Sequence, residues 1–271
     1  MAQRVGEYAA LARFGVLHLA TLGALVVPFR WSLVTWCALS YAVRMFGVTA
    51  GYHRYFSHRT YRMGRVPQFL MAWLAQTSGQ KGVLWWAAHH RTHHRHADQP
   101  EDVHSPLQRG FWWSHAGWVL SDLHNAYEAR LVADWRRYPE LVWLDRHHWV
   151  PTATLGVSLW ALGGLPLFIW GYIVATVALY HGTFTINSVA HLWGTRRFET
   201  ADGSRNNWVL AVLTLGEGWH NNHHRYMSSC RQGMLWWELD VTWLMLRGMQ
   251  AVGVVRDLRN FPPHLTDKAV A

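Results

Sequence analysis

The chain has 271 residues, of which 51% are hydrophobic and only 15% charged, with a formal net charge of +9. Its two cysteines, Cys37 and Cys230, lie far apart without Cys-x-x-Cys spacing, which excludes a disulfide scaffold and a thiolate metal site. The basic residues flank apolar runs and form no stripe of their own, so anionic lipid headgroups account for the charge and no nucleic-acid partner is expected.

In chain order, a first apolar run extends from about Leu11 to Ala50, broken only at Pro28-Phe29-Arg30. A second extends from Trp149 to about Ala190, broken at Gly163-Gly164-Leu165-Pro166. Each is about 40 residues, enough for two spans of roughly 20 and a tight turn. The pattern predicts an all-α integral membrane protein, a single domain over 1–271. Its four transmembrane helices, near 11–28, 31–49, 149–163 and 165–189, pair as two hairpins. Because the first run leads directly into another span, it reads as a membrane helix and not as a cleaved signal. Between the hairpins, Val66 to Ser78 is too short at about 1.5 Å per residue to cross a ~30 Å hydrocarbon core, so an interfacial or re-entrant helix is expected there. Residues 51–148 and 191–271 then form a helical cap. The hairpin turns carry one basic residue, Arg30, and nearly all others fall on the cap side. The positive-inside rule therefore places the cap, the active site and both termini in the cytoplasm, at the inner membrane if the cell is bacterial.

Three histidine blocks stand on that side: His53-Arg-Tyr-Phe-Ser-His58, His90-Arg-Thr-His93-His94 and His220-Asn-Asn-His223-His224. On an α-helix, positions i, i+3 and i+4 fall within about 100° of one face, so each His-x-x-His-His block can aim three ring nitrogens at one place. Imidazole suits zinc, copper, iron and nickel, and eight such ligands exceed what one ion can use, so a two-metal centre is the economical reading. His53 and His58, five apart, lie about 140° apart on an α-helix and are expected to serve different metals. In the second block His89/His93/His96 is a rival register to His90/His93/His94. Asn187 and His191 lie one turn apart near the end of the fourth span, a costly polar pair unless it serves a purpose. Asn187 suits a metal-bound water better than direct ligation. Metal-bound His commonly donates its other N–H to a carboxylate, and Glu217, Asp98, Glu101 and Asp102 are the candidates. His18, His147, His148 and His264 read as packing or interfacial residues, and His104, His115 and His124 as cap residues. His181, within a span, is intermediate.

These stretches resemble the integral-membrane fatty acyl desaturases of the delta-9, acyl-CoA type. The matching segments are Gly47-Val-Thr-Ala-Gly-Tyr-His-Arg-Tyr-Phe-Ser-His58, the 90–94 block, Asp102-Val-His104, Arg109-Gly-Phe-Trp-Trp-Ser-His-Ala-Gly-Trp118, Asn187-Ser-Val-Ala-His191 and Gly216-Glu-Gly-Trp-His-Asn-Asn-His-His224. They run in family order from about 30 to 240. The resemblance implies a di-iron centre held by His53, His58, His90, His93, His94, His191, His220, His223 and His224, with Asn187 on a bound water and Glu217 beside it. It implies dioxygen-dependent insertion of a cis double bond into a saturated fatty acyl thioester. Trp86 and Thr183 match positions lining the bend of an acyl tunnel, Phe184 stands where the animal enzymes have Trp, and Arg91 and Arg95 match basic contacts to a phosphorylated headgroup. No His-Pro-Gly-Gly heme signature occurs, so electrons are expected from a separate carrier, a ferredoxin or a small b-type cytochrome with its reductase. The headgroup stays open between coenzyme A, a carrier protein and a lipid. A related di-iron membrane hydroxylase is the alternative. On the second span, Met45 lies eight residues before His53, about 12 Å along the axis, and Tyr41 about 18 Å, so either can stop the methyl end of the chain.

Overall fold

The computed structural model describes residues 2–262, so His264 lies outside the described residues. The protein is mostly helical, and three of its helical stretches are long and apolar enough to cross a membrane: Gly6–Leu25, Trp31–Ser57 and Trp149–His191. Their outward faces are unshielded, with Leu19, Leu25, Trp31, Val157 and Leu162 between 66% and 82% exposed. Exposed apolar surface of this extent on membrane-length helices fits a lipid environment.

The first stretch is an α-helix, Ala2–Ala20, tightening to a 3-10 turn at Thr21–Leu25. It is held by an unexpected chain of histidines. His18 Nε2 lies 3.0 Å from His181 Nε2, and His181 Nδ1 lies 2.9 Å from His115 Nε2. His115 Nδ1 in turn meets Ser188 Oγ at 2.9 Å. His18, His115 and His181 thus tie the first helix to the cap and to the Ala175–Asn187 helix, a role that single-residue reading does not reveal.

The second stretch does not end near 49 as the sequence suggests. Its α-helix, Trp31–Phe46, passes into a π-helix, Gly47–Ser57, buried throughout. Close packing explains where it runs. A Cβ on Gly47 would come within 3.0 Å of the Ala75 nitrogen, and one on Gly51 within 3.1 Å of Met71. Only glycines let the Arg65–Gln76 helix approach this near. That helix, too short to span, ends deep in the protein, where Thr77 O accepts from Arg44 Nε (3.1 Å) and Nη2 (2.8 Å). Arg44 is buried within the second stretch, and the carbonyl end of a helix supplies the negative pole it faces. Nη2 also meets Thr176 Oγ1 at 2.8 Å.

In the third stretch the backbone leaves helical geometry at Gly163 and at Gly164 (φ +61°). Residues either side of that break touch: Thr152 Oγ1 and Tyr172 Oη are 3.1 Å apart, and Gly156 faces Tyr172 and Phe168.

The cap is built of short helices and departs from an all-α fold in a two-stranded antiparallel ribbon, which pairs Arg62–Met63 with Val255–Arg256, and in the isolated bridges of Asn206 with Thr195 and Trp219. Arg54, on the π-helix, is its central polar tie. Nε donates to Glu217 Oε1 at 3.0 Å, and Nη1 lies 2.8 Å from Cys230 O and 2.9 Å from Asp240 Oδ1. Replacing Arg54 by Met should leave two buried carboxylates without a cation and cost about 3–5 kcal/mol. Thermal unfolding in detergent measures it, and a loss below about 1 kcal/mol, the range of an exposed pair, contradicts the assignment.

Candidate metal centre

The histidine-bearing segments are fixed locally before they meet. The Val83–His96 helix has its first amides capped from a distance, with Asp145 Oδ1 accepting from Leu84 N (2.9 Å) and Trp85 N (3.0 Å). The short His220–Arg225 helix is capped by Asn206, whose Oδ1 accepts from Asn221 N (3.0 Å) and Asn222 N (3.1 Å). The two asparagines between its histidines anchor it outward. Asn221 Oδ1 accepts from Arg197 N and Phe198 N, and Asn222 Nδ2 donates to Gln232 O and Glu238. Sequence reading assigned Asn206, Asn221 and Asn222 no role.

The structure brings all nine histidines into two adjoining groups. His53, His58, His90, His94 and His223 form one, and His93, His191, His220 and His224 the other, with ligand atoms in each group within 4.8 Å of one another. Two expectations are corrected. The His-x-x-His-His blocks do not each serve one place: His93 turns from His90 and His94, and His223 from His220 and His224. His53 and His58 serve the same group, their ring centres 4.8 Å apart. The π-helix is the reason, because His58 N donates to His53 O at 3.2 Å and this wider turn puts residues five apart on one face. Of the two registers for the second block, His90/His93/His94 is the one assembled. His89 packs instead against Trp85, ring centres 4.6 Å apart, and His96 joins neither group.

Carboxylates back four of the rings. His93 Nδ1 lies 2.9 Å from Asp102, His191 Nδ1 2.8 Å from Asp98 and His224 Nδ1 2.9 Å from Asp202, while His53 Nδ1 contacts Glu217. A carboxylate only accepts, so each of these rings carries its proton on Nδ1 and presents a bare Nε2 inward. Asp202 is new, in a loop with no signal of its own, and Glu101 is exposed and takes no part. His104, read from sequence as an ordinary cap residue, has its ring 4.2 Å from that of His93.

The donor set fits metal ions. Nε2 atoms face each other at 3.0 Å for His53–His223, 3.0 Å for His94–His223 and 3.1 Å for His191–His220, and His93 Nε2 and His224 Nε2 have no protein partner. Lone pairs converging in a dry interior repel one another unless a cation sits among them. An all-imidazole set suits iron, zinc or copper.

Burial first, and neighbouring imidazoles second, hold His58, His90, His94, His220 and His223 well below the ordinary histidine range. Burial pushes His224 down to about 4 although Asp202 opposes it. For Asp98 and Glu217, burial works upward but His191, and His53 with Arg54, outweigh it and bring both carboxyls to about 2. At neutral pH these six imidazoles are therefore free bases, the form that binds metal.

Two cavities meet beside the first group. The wider, about 590 Å³, is walled by Phe14, Leu17, Trp118 and Phe184, with Arg13, Lys81 and His148 among its polar lining. The narrower, about 40 Å³, is lined by Met45, Val48, Thr49 and Glu217. Both are bordered by Trp86, His90, Thr183 and Asn187. Trp86 is wedged between Tyr52 and His90, ring centres 5.3 and 4.9 Å away, and Thr183 accepts from Gln80 Nε2 at 2.9 Å. Met45 is buried, with Cε set against Gly182. Tyr41 lies beside it, outside the cavity lining, its hydroxyl donating to Leu213 O at 2.6 Å. Arg95 is exposed. Arg91 departs from the headgroup expectation. Its five N–H groups go to Ser57 O, Phe56 O, Leu131 O and both oxygens of Asp134, which leaves no donor for a ligand.

The pH behaviour of the metal-free protein follows from these shifts. Six histidines have folded values depressed below about 6.5, so the unfolded chain binds more protons on acidification. Their contribution is fully present above about 6.5 and is lost as pH falls through the folded values, about 4 for His224. His93, whose value Asp102 raises against burial, runs the other way, but one group does not offset six. Thermal midpoints of metal-free protein should fall steadily from pH 6.5 to 4.5, and a flat profile over that window would contradict the burial of neutral imidazoles.

Comparison with known proteins agrees with this geometry. The sequence profile of the family described as fatty acid desaturase matches residues 29–256. The chain is 34% identical over 260 residues to the sn-2 palmitoyl-lipid 9-desaturase of Nostoc sp., covering 92% of this chain and 89% of that one. It is 37% identical over 241 residues to a probable chloroplastic lipid desaturase of Arabidopsis thaliana, covering 87% of this chain and 66% of that one. It is 35% identical over 244 residues to the icosanoyl-CoA 5-desaturase of Limnanthes douglasii, covering 87% and 68%. The chain belongs to the fatty acid desaturase family.

Proposed function

We propose that this family member inserts a cis double bond near the middle of a saturated acyl chain esterified to a membrane lipid. The observation that carries the proposal is the meeting of two apolar cavities at Trp86, His90, Thr183 and Asn187, beside the first histidine group. An acyl chain laid through both would pass its middle methylenes by the metals. Two irons held by the nine histidines, with Asn187 on a bound water, would activate dioxygen and supply an oxidant strong enough for an unactivated C–H bond. The protein's own work is placement. Trp86, clamped by Tyr52 and His90, and Thr183, held by Gln80, fix where the chain turns. Burial keeps water from the reacting carbons.

The lipid headgroup rests on the cavity mouth. The wide cavity is walled by the first helix, whose outer face is exposed to lipid, and Arg13 and Lys81 are the fixed cations lining it. Asp122 stands close to Lys81, and burial pushes that ammonium down to about 8. So little net charge suits a lipid ester better than the phosphates of coenzyme A. The palmitoyl-lipid specificity named for the Nostoc relative supports this reading, and the acyl-CoA relatives together with the exposed Arg95 support the thioester as the second one. The break at Gly163–Gly164, with Thr152 and Gly156 touching residues beyond it, supports four spans in two hairpins. The arginine distribution supports a cytoplasmic cap that receives two electrons from a separate carrier, a ferredoxin or a small b-type cytochrome. Dioxygen, two electrons and two protons balance the removal of two hydrogens as two waters.

Expression in a host, followed by mass spectrometry of intact lipids and derivatised methyl esters, tests the reaction and the headgroup together. A monoenoic chain on membrane lipid is expected. A hydroxylated product would assign the related hydroxylase chemistry, and new double bonds confined to acyl-CoA would assign the thioester. Active protein should hold about two irons per chain, as two imidazole groups require. His93→Ala and His223→Ala should each abolish product, whereas His147→Ala should retain most of it.

Chain length is set at the other end. Met45→Ala should open space beside Gly182 and shift preference toward longer chains without moving the double bond relative to the carboxyl end. Competition between substrates of graded length reads it, and an unaltered length profile in well-folded protein removes Met45 as the stop.

A further inference from the structure

The Val241–Ala251 helix carries a groove that the proposed reaction does not use. It encloses about 440 Å³ between Arg231, Trp243, Arg247, Gln250, Leu258 and Asn260. Trp243, Arg247 and Gln250 are spaced i, i+4, i+7 and so share one helical face. The guanidinium carbon of Arg231 lies 4.8 Å from the centre of the Trp243 ring, and that of Arg247 lies 5.1 Å from it. Stacking on one indole holds two positive charges side by side. Neither arginine meets a carboxylate among the described residues, and the hydrogen bond Arg231 makes there is a long one to Met234 O at 3.3 Å. The remaining N–H donors are open to the groove, with the amides of Gln250 and Asn260 beside them.

The position of the groove says what reaches it. Thr242, at the start of the helix, has its hydroxyl 2.8 Å from that of Thr49, in the buried π-helical part of the second membrane-crossing stretch. Thr242 N donates to Leu215 O at 2.9 Å, and Leu213 O is held by Tyr41 within that span. The helix therefore starts against the cap-side part of the second membrane-crossing stretch. On the other faces of the same helix Leu244 (49% exposed) and Met245 (44%), and just before it Trp236 (86%) and Trp237 (53%), are exposed apolar side chains. Apolar residues, tryptophans and arginines together at that level are the composition of a helix lying in the headgroup region.

We propose that this groove binds the phosphate of a membrane lipid headgroup, at a site separate from the acyl cavity. The planar, two-pronged donors of Arg231 and Arg247 match phosphate oxygens, and Trp243 and Leu258 in the lining meet the lipid's glycerol and first methylenes. A free phosphate ion makes none of those apolar contacts. The inference rests on the membrane placement of the spans and not on the chemistry of the histidines.

Native mass spectrometry of the full chain, purified with its metals in detergent and titrated with dioleoyl phosphatidylglycerol or with uncharged monogalactosyldiacylglycerol, tests it. The wild type should bind one phosphatidylglycerol about tenfold or more tighter than the galactolipid, and Arg231→Gln/Arg247→Gln should remove that preference while leaving galactolipid binding unchanged. Arg130→Gln, an exposed residue outside the groove, should change neither. Metal content and thermal midpoint confirm folding. If the double variant loses its metal, Arg247→Gln at its exposed helical position should still lower phosphatidylglycerol affinity severalfold. Equal affinities in wild type and groove variants overturn the proposal, as does displacement of the lipid by millimolar inorganic phosphate. Product formation is followed in parallel, so an enzyme that makes no double bond yet retains the lipid preference contradicts the proposed function and leaves this site intact.

Discussion

Much of the cap serves one awkward requirement: nine imidazoles must stay close together in a dry interior with their inner nitrogens turned toward one another. Imidazoles left to themselves would settle this by sharing N–H groups or by admitting water. Here carboxylates on the outer nitrogens take up the protons of His53, His93, His191 and His224, so that the inner nitrogens can only accept. Each carboxylate is in turn fixed by something else. Glu217 is held by Arg54, Asp102 by the amides of Asp98 and His104, and Asp98 by Ser105 and the Gly203 amide. The site is a layered set of donors and acceptors, and the four carboxylate-backed rings have their tautomer set from outside.

That layering explains why the folded core and the site are difficult to separate. Arg54 sits next to His53 and joins the π-helix to Glu217, Cys230 and Asp240, so the tie that closes the cap also sets one ligand's partner. Arg91 does the same on the next helix. It stands between His90 and His93 and clamps the end of the π-helix to the 129–134 segment through Ser57 O, Phe56 O and Asp134. A basic residue beside a metal ligand is easily taken for a substrate contact. Its donor count shows it to be a bracket.

Much of this was legible in the sequence, and the limits have physical causes. The three histidine blocks and His191 stand out because imidazole has no packing reason to recur at such spacing, and Glu217, Asp98 and Asp102 follow from the need of bound histidines for carboxylate partners. Asp202 carries no such mark, since a loop aspartate before glycine reads as a turn. Asn206, Asn221 and Asn222 act through backbone groups distant in sequence, which spacing cannot show. His18, His115 and His181 come from three segments, and none is informative alone. The pairing of His53 with His58 was misread because an α-helical wheel was applied where the backbone is wider, and neither the glycines at 47 and 51 nor any other local composition announces a π-helix. The other two blocks are α-helical, and there the i and i+4 rings stay together while the i+3 ring turns to the other group.

The wide turn at 47–57 also bears on how such a centre is inherited or transplanted. Four residues between His53 and His58 make a workable pair only on a backbone wound with one residue more per hydrogen-bonded turn. Grafted onto a regular helix in a designed scaffold, the same string would splay its rings apart. Trimmed by one residue in nature, the helix could relax to ordinary winding and bring the histidines to i, i+4, a different but still serviceable pair. The inserted residue and the ligand spacing are thus a single unit, and sequence motifs for this chemistry should be compared with the winding of their helix as part of the motif.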